Sequence, residues 1–139
     1  MGFDEELIDR ANKINDIIID NLPAVQGEQK LLLEAINYSV RVGGKRVRPM
    51  LMLETYKLCS GQNEKEVYPY MAALEYIHTY SLVHDDLPAM DNDDYRRGNL
   101  TTHKKFGEDF GILAGDGLLN YAYEVMMNAI LHSKDMQKN

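Results

Sequence analysis

The stretch PYMAALEYIHTYSLVHDDLPAMDNDD, residues 69–94, passes from an apolar pattern into a cluster of acidic side chains. A proline suits the first turn of a helix, so a helix is expected to start near Pro69. The apolar residues that follow recur at helical spacing: Met71, Ala72, Leu74, Ile77, Leu82 and Val83. Pro88 cannot continue a helix and should end this one. The stretch therefore predicts an apolar helix that leads into an acidic loop.

The rest of the chain has the same helical spacing and no period-2 alternation, so the sequence predicts an all-α fold without strands. Further helices are expected at residues 3–18, 31–40, 49–58 and 112–132. A short turn capped by Thr101 or Thr102 should precede Gly107. The polar residues 134–139 are expected to form a loop between helices.

The bulk properties of the chain limit its partners and its location. Its 139 residues carry a formal net charge of −7, which disfavours a nucleic-acid partner. The start of the chain lacks a signal-peptide pattern, and no apolar run is long enough to span a bilayer. The single cysteine, Cys59, fits a reducing compartment. These features predict a soluble cytoplasmic protein with no membrane span.

Five carboxylates lie within ten residues, and two arginines follow them. Clustered carboxylates repel one another unless a cation lies among them, and Mg²⁺ prefers a few carboxylates plus phosphate oxygens. Arg96 and Arg97 offer bidentate donors for phosphate. An EF-hand is excluded, because counting from Asp91 places Arg96 where that loop needs glycine. The segment predicts a site where metal ions meet a polyphosphate.

The helix that leads into this loop adds a possible basic donor. His78 and Asp85 are seven residues apart, so on one helix they point the same way, about 10 Å apart along the axis. Beyond Pro88, the loop can bring Asp91 back toward the same ion. The alternative is that such acidic segments are ordinary turns or helix caps.

A basic motif, GGKRVRP at residues 43–49, is the second candidate for anion binding. Lys45 and Arg48 can share a face at a helix entrance, and glycines allow close approach of the backbone to an anion. Pro49 opens a helix whose N-terminus favours negative charge. The motif is not a Walker loop, because Arg46 follows Gly-Lys in place of Ser or Thr. A solvated basic turn remains the alternative.

A different metal chemistry is also conceivable at the same helix. His84 and Asp85 form a His-Asp doublet of the kind found in helical metal phosphohydrolases. Such sites need a further metal-binding histidine upstream, and no histidine precedes His78. This reading is therefore the minor one.

Residues 43–49, 75–88 and 93–98 together, and in this order, resemble the N-terminal half of the trans-isoprenyl diphosphate synthases, or polyprenyl synthetases, of the bacterial farnesyl diphosphate synthase type. The resemblance implies the isoprenoid synthase fold, in which antiparallel helices surround a central cavity. Residues 1–139 would form the N-terminal part of that single domain. The family acts as a homodimer and condenses an allylic diphosphate with isopentenyl diphosphate.

The resemblance also implies roles for individual residues. Asp85, Asp86 and Asp91 correspond to the first aspartate-rich motif, whose first and last members bind catalytic Mg²⁺ and thereby the allylic diphosphate. Arg96 corresponds to an arginine that contacts the allylic diphosphate. Four residues correspond to those that form the isopentenyl diphosphate pocket of the family: Lys45, Arg48, His78 and Arg97. Tyr80 and Ser81 correspond to residues that set product length, and together with the Pro88-Ala89 insertion they favour a C15 product.

The chain departs from the family pattern in one respect. The second aspartate-rich motif of the family is not among these residues, so the 139 residues are expected to be half an enzyme and inactive alone. A non-catalytic helical partner or regulatory subunit of a prenyltransferase is the alternative, although the intact acidic motif argues against it. A terpene cyclase would have no use for the motif at residues 43–49.

Overall fold

The computed structural model describes residues 2–59 and 61–133, and within them the chain is mainly helical. The helices are α1 (Phe3–Asp20), α2 (Lys30–Arg41), α3 (Val47–Leu58), α4 (Tyr68–Asp85), α5 (Thr102–Phe106) and α6 (Glu108–Leu131). A 3₁₀ turn, Glu64–Glu66, which the sequence did not predict, precedes α4. The expected all-α class is confirmed.

Helix α4 is the centre of the packing, since it contacts α1, α2, α3 and α6. Helices that are apolar around most of their surface are normally buried, and α4 buries Met71, Ala72, Tyr76 and Val83. The Tyr76 hydroxyl donates a 2.7 Å hydrogen bond to the backbone carbonyl of Ile18 in α1. This bond satisfies the polar end of a fully buried ring, so α4 is held in a fixed orientation.

The helix boundaries lie near the expected ones, with shifts of up to four residues. Helix α4 ends at Asp85, three residues before Pro88, as the sequence predicted. Helix α3 begins at Val47 rather than Pro49, which still lies in its first turn. Helix α6 begins at Glu108, four residues before the expected start. Gly107, with φ of 105°, ends α5 immediately before it, so the helical pattern restarts earlier than apolar spacing indicated.

The prediction of no strands was wrong at one place. Two-residue strands, β1 (Tyr95–Arg96) and β2 (Asn99–Leu100), pair antiparallel after the acidic segment. Strands this short contain no alternation for a sequence pattern to show. Arg97 and Gly98 join them with φ values of 53° and 79°, as a type I′ turn requires. The hairpin fixes the directions of the two consecutive arginines.

Helix α6 leaves several large apolar side chains exposed on its surface: Ile112, Leu113, Tyr123, Met127, Ile130 and Leu131. In the part of the chain that the structure describes, no helix has both the length and the apolar character needed to cross a membrane. The loop expected at residues 134–139 lies outside the described residues.

Candidate active site

The acidic loop, residues 85–94, folds back on the end of α4. The Asp91 amide donates to the Asp85 carbonyl at 2.8 Å, and the Asp93 amide donates to the Asp86 carbonyl at 3.2 Å. Asn92 has a φ of 54°, a conformation that asparagine tolerates better than most residues. The expected return of Asp91 toward Asp85 is therefore present in the backbone.

The second aspartate of the loop is in an ion pair. Arg96 on β1 donates through Nε, at 2.9 and 3.0 Å to the two carboxylate oxygens of Asp86, and through Nη2 at 2.5 Å. The Asp86 side chain is only 5% exposed. The hydrogen bond to Asp86 raises the pKa of Arg96 above its ordinary value. Asp86 therefore orients Arg96, and the role of Asp86 as a metal ligand stays a prediction.

The carboxylates of Asp85 and Asp91, like that of Asp93, are open to a metal ion, and the backbone brings Asp91 back to Asp85. Asp85 is partly buried and Asp91 is exposed. Among residues 2–59 and 61–133, neither side chain takes part in an ion pair, and no three His, Cys, Asp or Glu side chains are arranged to hold an ion. Mg²⁺ commonly takes one or two carboxylates and completes its shell with water and phosphate oxygens. The donor set therefore fits Mg²⁺ that binds together with a phosphate ligand.

A cavity of about 390 Å³ lies between the start of α3 and the middle of α4. We call four of its basic side chains the cation pocket: Lys45, Arg48, His78 and Arg97. His78 Nε2 lies 3.4 Å from Arg48 Nη1. Burial, and after it the positive charge of Arg48, lower the pKa of His78. The structure thus brings together the four residues that the sequence predicted to share one diphosphate pocket.

Arg97 is directed into the cation pocket by the hairpin turn. Burial, and then the neighbouring Arg46, lower the pKa of its guanidinium from the ordinary value. A Cβ atom at Gly44 would collide with this guanidinium. In the structure, the space beside Gly44 is occupied by Arg97, whereas the sequence had predicted that it admits an anion to the backbone. A larger residue at this position would displace the Arg97 side chain from its place in the pocket.

Sequence reasoning missed the contribution of Arg46. Its side chain lines the back of the same cavity and forms a buried ion pair with Glu75 at 2.9 Å. The available signal was Glu75 itself, a carboxylate on the apolar helix α4. Charged residues at such positions are rarely buried without a partner. The basic motif upstream was the natural source of that partner.

The two residues predicted to set product length lie on α4 before Asp85. The partly buried Tyr80 ring contacts the His84 ring edge to face, with centroids 5.6 Å apart. Ser81 donates to the carbonyl of His78 at 2.8 Å. His84 Nε2 lies 3.0 Å from the carbonyl of Ile112 in α6. That contact occupies one ring nitrogen, Nε2, of the histidine in the His-Asp doublet.

The comparisons with known proteins agree with this geometry. Residues 29–138 match the model of the polyprenyl synthetase family. This chain belongs to that family. It is 51% identical over 126 residues to a farnesyl diphosphate synthase from Micrococcus luteus, a match that covers 91% of this chain and 42% of the relative. The family predicted from the three motifs is therefore confirmed.

Two further similarities bear on product and assembly. The chain is 46% identical over 127 residues to large subunit 1 of a chloroplastic heterodimeric geranylgeranyl pyrophosphate synthase from Arabidopsis thaliana, covering 91% of this chain and 33% of the relative. A crystal structure of an FPP/GFPP synthase from Zymomonas mobilis matches with a TM-score of 0.83 and 36% identity, over 94% of this chain and 47% of that one. The isoprenoid synthase fold is thereby confirmed. The chain spans less than half the length of these relatives.

Proposed function

We propose that the whole protein containing these residues is a prenyltransferase that condenses an allylic diphosphate with isopentenyl diphosphate. One observation supports the proposal: the adjacent Arg96 and Arg97 are directed to two different charged regions, the acidic loop and the cation pocket. Arg96 reaches the acidic loop through Asp86, and Arg97 lines the cation pocket. A reaction that joins two diphosphate esters needs two such regions side by side.

The acidic loop would hold the allylic diphosphate. Asp85 and Asp91 are the residues that would bind Mg²⁺, which neutralises charge on the departing pyrophosphate. Arg96, held in place by Asp86, supplies a fixed cation near that leaving group, where negative charge develops in the transition state. Cleavage of the allylic C–O bond sends the electron pair out with pyrophosphate. The double bond of isopentenyl diphosphate then forms the new C–C bond, and a proton leaves the product.

The cation pocket would hold the diphosphate of the second substrate, which does not leave. Lys45, Arg48 and Arg97 are exposed on its wall, and in the part of the chain that the structure describes their charges can meet an anion without first breaking an ion pair. Neutral His78 can accept from Arg48 or donate to a phosphate oxygen. Binding without metal suits a diphosphate that only needs to be positioned.

We infer farnesyl diphosphate as the product, because Tyr80 forms a bulky ring one to two turns before Asp85, where a growing tail would run. The relatives alone leave this open, since their names include farnesyl and geranylgeranyl products. Tyr80→Ala in the whole protein should give products of C20 or longer while condensation continues. Tyr80→Phe, which keeps the ring and removes only the hydroxyl, serves as the control and should still give C15. If an active Tyr80→Ala enzyme still stopped at C15, a residue other than Tyr80 would limit the length of the product.

We infer that the protein works as a homodimer in the cytoplasm, with α6 as the contact helix. The exposed apolar side chains of α6, among them Tyr123 and Met127, form a surface of the kind that interfaces bury. A heterodimer with a different subunit is the competing assembly, given the Arabidopsis relative. Light scattering on the protein expressed alone separates the two: a homodimer supports the proposal, and a stable monomer contradicts it.

The activity is tested by incubating the whole protein with isopentenyl diphosphate and dimethylallyl or geranyl diphosphate, with and without Mg²⁺. We expect farnesyl diphosphate and pyrophosphate in the presence of the metal. The 139 residues by themselves should show no condensation. No product from a folded whole protein with any allylic diphosphate would reject the proposal and favour a non-catalytic subunit.

A further inference from the structure

Arg46 is buried although both of its basic neighbours in the motif, Lys45 and Arg48, are exposed. Its guanidinium connects three parts of the chain. Nη1 donates to Glu75 on α4 at 2.9 Å, and Nη2 donates to the backbone carbonyl of Val40 in α2 at 2.7 Å. Nε and Nη2 both donate to Asn15 Oδ1 on α1, at 3.2 and 3.0 Å.

The backbone at Arg46 explains how one arginine is buried between two exposed cations. Arg46 precedes α3 and has a φ of 51° in the left-handed region. A non-glycine residue keeps this conformation only where surrounding contacts determine it. The contacts here are the four hydrogen bonds of its own side chain. They hold the turn that places Lys45 before α3 and Arg48 in its first turn.

Glu75 connects Arg46 to the opposite wall of the cavity. It lies three residues before His78 on α4, so both project from nearly the same face of the helix. Glu75 also lines the cavity that contains Arg48 and Arg97. The Arg46–Glu75 pair therefore connects the segment that contains Lys45 and Arg48 to the helix that contains His78.

We propose that Arg46, through Glu75, is a positioning residue for the cation pocket: it sets the spacing of Lys45 and Arg48 from His78 and Arg97. The inference rests on the proposed function, because it assigns the effect to isopentenyl diphosphate. It predicts a selective loss. The acidic loop has its own ion pair, Asp86 with Arg96, so the allylic site should not depend on Arg46.

The test uses the whole protein with Arg46→Lys and Glu75→Gln. Lysine keeps the charge but cannot bridge α1, α2 and α4 with a planar fork. Glutamine keeps the shape and an acceptor for Arg46, but it leaves the buried guanidinium without its counter-charge. The matched control is Arg10→Lys, since Arg10 pairs with Glu6 and Glu54 on the exposed side of α1.

Arg46→Lys should raise the KM for isopentenyl diphosphate roughly tenfold, the effect of a lost charge-assisted contact. The allylic KM and kcat at saturation should stay within about twofold of wild type, as for a remote surface change. Glu75→Gln should raise the KM for isopentenyl diphosphate as well, because Arg46 loses its charged partner. Arg10→Lys should change none of the three.

Two results would overturn the inference. One is an unchanged KM for isopentenyl diphosphate in folded Arg46→Lys; the other is a parallel loss in kcat and in both KM values, which indicates a general structural role. If Arg46→Lys does not fold, Glu75→Gln is judged by the same criteria.

Failure of the proposed function gives a different pattern, because wild type itself would then show no turnover. In that case, calorimetry with inorganic pyrophosphate decides: weaker binding by Glu75→Gln than by wild type supports the positioning role. Equal affinity, or no binding by wild type, overturns it.

Discussion

The cation pocket and the acidic loop each contain several side chains of one charge sign, but they differ in how many of those charges are already neutralised by ion pairs. Lys45, Arg48 and Arg97 are exposed on the pocket wall, and within residues 2–59 and 61–133 only their neighbour Arg46 among these four cations is paired with a carboxylate. In the loop, Arg96 and Lys104 already neutralise two of the five carboxylates. The pocket can therefore attract a diphosphate directly, whereas the loop needs a cation between it and any phosphate.

Each region contains one arginine–carboxylate pair that fixes its geometry. The side chains of Arg46 and Glu75 are 1% and 4% exposed, whereas Arg96 is 30% exposed above a buried Asp86. The first pair is closed to ligands, and the second keeps a cation at the surface of the site. The difference indicates that Arg46 acts only through its neighbours, while Arg96 can itself contact a substrate.

The largest effect should come from removing the metal-binding capacity of the loop. Asp85→Asn in the whole protein should lower kcat on the order of 10²–10³-fold, because charge on the leaving pyrophosphate loses its stabilisation. Asp93→Asn, a change of the same kind in the same loop, should cost no more than about twofold. Steady-state rates at saturating Mg²⁺ measure both. Equal losses in the two variants would show that only total charge matters.

An intermediate effect should follow when Arg97 is displaced without altering any charge. Gly44→Ala places a methyl group where the Arg97 guanidinium lies, and this long side chain can swing away. The KM for isopentenyl diphosphate should then rise by roughly tenfold at most, as for one weakened charge-assisted contact. Gly2→Ala, at a glycine with open space around it, is the control. A KM that Gly44→Ala leaves unchanged would exclude Arg97 from binding.

The smallest expected effect is the uptake of protons when a diphosphate binds. Burial and Arg48 lower the pKa of His78, so the imidazole of the free pocket is mostly neutral at neutral pH. A bound diphosphate brings negative charge and raises that pKa. Binding should therefore take up a fraction of a proton, and affinity should increase as pH falls toward the pKa of the free state. Calorimetry in two buffers of different ionisation enthalpy measures the uptake, and His78→Gln corrects for protons bound by the diphosphate. Identical uptake by both proteins would contradict the assignment.

The sequence predicted the helices well because their apolar spacing and their prolines are local signals. Helix α4 illustrates this, since it starts beside Pro69 and ends before Pro88, where these residues place its limits. The Arg97-Gly98 hairpin was missed because its strands are two residues long. Its only local signal was a glycine after an arginine, and the positive φ of Arg97 depends on pairing that forms in three dimensions.

The residues of the candidate site could be predicted from the sequence, but the ion pairs that hold them in place could not. Motifs that resemble a family identified Lys45, Arg48, His78 and Arg97, and the structure places them around one cavity. The ion pair of Arg46 with Glu75 joins residues 29 positions apart in sequence. No local pattern indicates which of several arginines becomes buried, because burial is decided by the packing of α1, α2 and α4 around it.

The central claim is that the two regions bind two different diphosphates, and separate KM values for the two substrates test it most directly. Arg48→Ala in the whole protein should raise the KM for isopentenyl diphosphate roughly 10- to 100-fold, the cost of a charge-assisted hydrogen bond, and leave the allylic KM nearly unchanged. Arg96→Lys, which keeps a cation beside buried Asp86, should do the reverse. If each variant raised both constants equally, the two regions would form a single site and the account would be wrong.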